Sequence, residues 1–141
     1  MDNIDLGSLN YIAIIVAVVI NQVAGAGWYM GFAKPWMAEV GMTETDHEAM
    51  KGTSRMWYPY VVAIVSTLVF TLALALVIQG MGAEGFAEGL FLGLLAAVGF
   101  ILTTNATNYS FEGRSLRLFM INSGYPLIMY AVIGILLATW Q

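Results

Sequence analysis

From Asp5 to Lys34 the chain runs without an intervening charged side chain, and the same is true between Arg55 and Glu84, between Glu88 and Glu112, and from Arg117 to the last residue. Each stretch supplies about 20 apolar-rich residues, the length that crosses a hydrocarbon core of ~30 Å as a helix. Ile12 to Ile20 is apolar at every position, without the alternation of a barrel strand. Lipid offers the backbone no hydrogen-bond partners, so helices that satisfy their own polar groups are the expected form. The pattern predicts four spans, about 9–31, 58–79, 89–109 and 118–140. They make an all-α membrane protein, a four-transmembrane-helix bundle forming one transmembrane domain over residues 1–141.

Inside the spans, small residues recur four apart: Ala13, Ala17, Asn21 and Gly25; Ala63, Thr67, Thr71 and Ala75; Gly85, Gly89, Gly93 and Ala97. Such positions share a helix face, and small side chains let two backbones approach. The short turn at Gly80, Met81 and Gly82 makes spans 2 and 3 antiparallel neighbours. Their ladders are expected to face each other or a second protomer. Pro59 is read as a first-turn proline, where the missing N–H costs nothing. Pro126 lies inside span 4 and leaves the carbonyl of Asn122 without its usual donor.

Composition agrees with a membrane class. The chain is 60% hydrophobic and 10% charged, against roughly 45–50% and ~25% in soluble proteins. With no cysteine and one histidine, no metal site and no cofactor are expected. The net charge of −4 argues against nucleic acid and against a polybasic grip on lipid heads. The partners expected are the lipid bilayer and a second protomer or another membrane protein. Acidic residues at Asp2 and Asp5 are the wrong charge for a signal-peptide leader, so span 1 is expected to stay and span.

Charge placement predicts sidedness. Lys34, Lys51 and Arg55 follow span 1, and Arg114 and Arg117 follow span 3. The positive-inside rule puts both connections in the cytoplasm and both termini on the non-cytoplasmic side of the cell (inner) membrane. Connection 1 is expected to hold a short amphipathic cytoplasmic helix. Thr43 is its N-cap, Glu44 and Asp46 lie in its first turn, and Gly52 follows its end. His47 on that helix is read as facing solvent. Trp28, Tyr29, Phe32 and Trp36 are read as an interfacial aromatic belt.

Polar chemistry concentrates from Asn105 to Pro126. Asn21, Asn105, Asn108, Tyr109, Asn122 and Tyr125 form a candidate polar layer or pocket, with Glu112, Arg114 and Arg117 at its cytoplasmic mouth. Asn105, Asn108 and Glu112 share a face if the helix continues, and Gly113 is its expected stop. Asn108, Asn122 and Tyr125 are expected to face inward and bond across spans 3 and 4. Glu112 is expected to pair with Arg114 or Arg117.

Two motifs carry a family resemblance. Trp28, Tyr29, Phe32, Lys34 and Trp36 form W-Y-x-x-F-x-K-x-W. Asn108 to Tyr125 form N-Y-x-F-E-G-R-x-x-x-L-F-x-I-N-x-G-Y. The chain resembles the small integral membrane family catalogued as domain of unknown function 1761. That resemblance implies a membrane protein and supplies no activity, cofactor or catalytic residue.

Three functions are weighed. A structural or assembly subunit ranks first, because no buried charge marks an ion or proton path. A small-molecule or lipid binding or transport module with a cytoplasm-facing polar pocket ranks second. A membrane enzyme using Glu112 as base or Tyr109 as acid ranks third, since one carboxylate without a nucleophile or metal ligands is a poor catalytic set.

Overall fold

A computed structural model describes residues 3–141. Among the described residues, seven α-helices follow a short 3₁₀ turn: α1 (Tyr11–Gly31), α2 (Ala33–Val40), α3 (Glu44–Met50), α4 (Ser54–Met81), α5 (Gly85–Ala96), α6 (Thr103–Phe111) and α7 (Leu116–Thr139). A π-helical segment, Ala97–Leu102, joins α5 to α6. The described residues contain no strand. α1, α4, the continuous Gly85–Phe111 helix and α7 are each long and apolar enough to cross a membrane. The chain is thus an all-α, multi-pass membrane protein.

The four long helices run up and down, and side-chain bonds identify the two ends of the bundle. Asn10 Nδ2 donates to the Trp140 carbonyl at 3.2 Å, and Gln141 Nε2 donates to the Ala83 carbonyl at 2.7 Å. Gln79 accepts from the Asp5 N–H at 2.9 Å. These contacts define a termini end. The opposite, basic end carries α2, α3 and the α6–α7 turn, with all the Lys and Arg residues.

The hydrophobic core sits toward the termini end. Ala13, Ile14 and Ala17 of α1 pack with Leu74, Ala75 and Ile78 of α4, Leu92 of α5, and Met129, Ile133 and Leu137 of α7. The ladder of α5 meets α7, the helix that follows it, and not α4. A Cβ on Gly89 would stand 2.4 Å from the Gly134 carbonyl oxygen, so two backbones are in direct contact there. Antiparallel α7 offers Gly134 and Ala138 at matching depth, whereas α4 presents larger side chains such as Leu74 and Ile78 to the core. The span 1 ladder is buried as expected at Ala13, Ala17 and Asn21.

Helix ends depart from the expected bounds. α4 has 28 residues, about 42 Å of helix, and so overruns a ~30 Å hydrocarbon core. It begins at Ser54, which places Pro59 inside the helix and not in its first turn. The Arg55 carbonyl, left without that donor, lies in the exposed overhang. Connection 1 holds two helices where one was expected. Thr43 does cap α3, in a reciprocal capping box: Asp46 N–H donates to Thr43 Oγ1 at 3.1 Å, and Thr43 N–H to Asp46 Oδ2 at 3.0 Å. His47 is exposed. Gly113, with φ 66°, follows the end of α6 as expected.

Candidate functional site

At the basic end, α1, α6 and α7 meet through a layer of aromatic and amide side chains. Asn122 of α7 is its hub. Its Oδ1 accepts from the Tyr29 hydroxyl at 3.0 Å, and its Nδ2 donates to the Tyr109 oxygen at 2.8 Å. One amide therefore ties three helices together. The hub sits one turn before Pro126, within helix α7.

Two further bonds anchor α1 to α7. Trp28 Nε1 donates to the Ile121 carbonyl at 3.0 Å, and the Tyr125 hydroxyl donates to the Asn21 carbonyl at 2.5 Å. Gly25 makes room for the second: a Cβ there would stand 2.9 Å from the Tyr125 hydroxyl. The Tyr29 and Tyr125 rings meet edge-on at 5.9 Å, and Trp28 lies 6.2 Å from Tyr125. Trp28, Tyr29 and Trp36 are thus half-buried, in contact with one another or with Tyr125 and not only with the surroundings of the bundle. Each carries an apolar body with a polar tip, and the tips of Trp28 and Tyr29 are bonded inside the bundle.

Nearer the middle of the spans, Thr67 of α4 collects two amides of α1. Asn21 Nδ2 donates to its oxygen at 2.8 Å and Gln22 Nε2 at 3.0 Å, while the Thr67 hydroxyl donates back to the Ala63 carbonyl at 2.7 Å. Thr71, one turn further along, is fully buried, and its hydroxyl has no hydrogen-bond partner.

At the mouth, Glu112 pairs with Arg114, and the Arg114 guanidinium lies 5.1 Å from the Tyr109 ring centre. Arg117 is exposed, and no ion pair involves it among the described residues. Ser115, the N-cap of α7, accepts from the Leu118 N–H at 3.1 Å and donates to Glu39 of α2. Outside the spans, hydrogen bonds from the Thr43 backbone and hydroxyl hold the Asp46 carboxyl below the usual aspartate range. A hydrogen bond from Lys51 does the same for Glu48.

The family of proteins of unknown function DUF1761 matches residues 12–138. The chain belongs to that family. No curated protein matches it, and no solved structure does. Trp28, Tyr29, Asn122 and Tyr125, all within the matched range, are among those that bond across the helices of the layer.

Most of the sequence-predicted layer is brought together. Asn21, Tyr109, Asn122 and Tyr125 bond as described, and Asn105 Nδ2 reaches Ser123 Oγ at 3.2 Å. Asn108 is not part of it. Its side chain is exposed, with no hydrogen bond to the described residues. The inward row of α6 runs through Asn105 and Tyr109, four apart, which turns Asn108 aside. The Gly85–Phe111 helix has 27 residues, about 40 Å, longer than a ~30 Å core is thick, and an amide on a turn beyond the core can be served by water. Sequence reasoning missed Glu39, Ser115 and the hydrogen-bonding role of Tyr29. The serine directly before an apolar helix was a readable N-cap signal; no pattern in the sequence singles out Glu39.

At the termini end lies a cavity of about 40 Å³, lined by residues including Ser8, Asn10, Gln79 and Trp140. It lies at the far end of the bundle from the Asn122 layer.

Proposed function

We propose that this chain is a structural or assembly subunit of the membrane, in which the aromatic–amide layer acts as a clamp fixing the register of α1, α6 and α7. The observation that carries this reading is the Asn122 amide, whose donor and acceptor sides are both taken by side chains of the same bundle. A ligand site needs convergent polar groups facing an open cavity. Glu112, on which an enzyme would depend, is half-exposed and paired with Arg114 outside the layer. The proposed orientation follows the basic residues: the end carrying α2 and α3 faces the cytoplasm of the inner membrane, and both termini face away from it.

Native mass spectrometry of the wild-type and Asn122→Leu proteins, purified with their own lipids, tests the clamp. The expected result is the same bound lipid complement for both, with lower thermal stability for the variant. A molecule retained by wild type and lost from a folded variant would replace the clamp with a pocket. The same spectra report whether copies associate.

A further inference from the structure

Helix α2 lies over the basic end of the clamp and touches it at two places. Trp36 packs edge-on against Tyr29, with ring centres 6.3 Å apart, and Tyr29 is the residue whose hydroxyl bonds Asn122. Three residues further on, Glu39 accepts a hydrogen bond from Ser115, the N-cap of α7. The partly buried face of α2 is made of Ala33, Pro35, Trp36, Met37 and Glu39, while Lys34, Ala38 and Val40 are exposed.

Both ends of α2 are short junctions. Phe32 alone separates it from α1, serving both as the C-cap of α1 and as the N-cap of α2: its N–H donates to the Trp28 carbonyl at 3.0 Å and its carbonyl accepts from the Trp36 N–H at 2.9 Å. Gly41 ends it with φ 71°, in the left-handed region that glycine enters without steric cost. A single residue at one end and a glycine at the other can absorb the dihedral change of a hinge.

We infer that α2 is a latched cover over the aromatic–amide layer, held shut by Glu39 on Ser115 and seated by Trp36 on Tyr29. The carboxylate is well placed as a latch. It reaches the first turn of a 24-residue helix, where backbone N–H groups and the helix dipole favour an anion. Opening the latch would swing α2 about Phe32 and bare Tyr29, the residue that bonds Asn122, to the basic side. Nothing in this depends on whether the layer clamps helices or holds a ligand.

The chain has no native cysteine, so paired labels can be placed cleanly. Spin labels at Ala38→Cys on α2 and Leu116→Cys on α7, both exposed positions, report the cover in nanodiscs by pulsed electron paramagnetic resonance. The latched protein should give one narrow distance distribution. Glu39→Ala should add a second population, displaced by ~10 Å, because an eight-residue helix is ~12 Å long and pivots at one end. Glu39→Gln, which keeps an acceptor for Ser115, should restore most of the closed population. Trp36→Ala should open the cover independently if Glu39→Ala does not fold. An unchanged distribution in whichever of the two alanine variants folds overturns the inference, as does a broad distribution with the latch intact.

Discussion

A methyl group added to Gly93 would stand 2.1 Å from the carbonyl oxygen of Tyr130. The methyl position is fixed by the backbone of one helix and the oxygen belongs to the backbone of the other, so neither can rotate aside. Gly93→Ala should therefore destabilise the bundle by about 1–3 kcal/mol, even though alanine is the better helix former by ~1 kcal/mol. Gly27→Ala, where nothing lies within 4 Å, should be neutral or mildly stabilising. Unfolding in mixed detergent micelles separates the two. Equal stability for the Gly93 variant and wild type would mean that α5 and α7 do not pack this closely.

The hub of the polar layer should behave non-additively. Asn122→Leu strands the Tyr29 and Tyr109 hydroxyls together, while Tyr29→Phe removes only one bond. Each single change should cost ~1 kcal/mol. Adding Tyr29→Phe to Asn122→Leu should cost little more, because the bond it removes is already gone. A double-mutant cycle on detergent-unfolding free energies reads the coupling, and simple additivity would separate the two residues.

Two threonines on one face of α4 should respond oppositely to the same substitution. Thr67→Val leaves the Asn21 and Gln22 amides without their acceptor and should destabilise by about 1–3 kcal/mol. Thr71→Val replaces a buried hydroxyl that has no partner with an apolar group of the same shape. It should be neutral or stabilising. Loss of stability at Thr71 comparable to that at Thr67 would show that its hydroxyl is bonded after all.

The capping box gives α3 a defined response to acid. Bonds from Thr43 lower the Asp46 pKa below its ordinary 3.8. Its folded pKa is thus below its unfolded one, so its support for α3 is complete above the unfolded value. That support is lost as pH falls through the lowered one. Backbone amide protection of residues 44–50, taken relative to the intrinsic exchange rate at each pH, should fall across that window in the wild type, and not in Asp46→Ala, where the support is already missing. Identical pH profiles would detach α3 from its cap.

Sidedness has a direct readout. Single cysteines at Asn3 and Met50 in intact cells should react with impermeant thiol reagents from outside only at Asn3. Labelling of both, or of Met50 alone, would reverse or break the proposed orientation.

The spans were legible because lipid imposes one strong rule, and a run such as Ile12 to Ile20 obeys it without ambiguity. The amide hub was legible in part for the same reason: Asn122 and Tyr125 lie inside an apolar segment and need partners. Their partners on α1 were harder to read. Tyr29 and Trp28 sit where an interfacial belt is expected, and residue type does not distinguish a ring turned to lipid from one bonded inside. Asn108 failed for the opposite reason, since a polar residue near a helix end needs no partner if the helix outruns the membrane. Glu39 lies in a segment whose helix was not foreseen, and only the fold brings it to Ser115.

The π-helical segment Ala97–Leu102 makes the third span tolerant of a change in length. Asn105 stands twelve positions beyond Gly93, which at ~100° per residue would set it about 120° away from the α7 face in an unbroken α-helix. The wider turn takes up that excess, so Gly93 and Asn105 both meet α7. With one residue fewer, an ordinary α-helix would hold the two within about 20° of one another. Deleting a single residue from Val98 to Ile101 should therefore leave both contacts in place, whereas the same deletion in α4 or α7 would rotate half a helix out of register. Among relatives of this chain, length differences confined to one residue within the third span should fall at this turn.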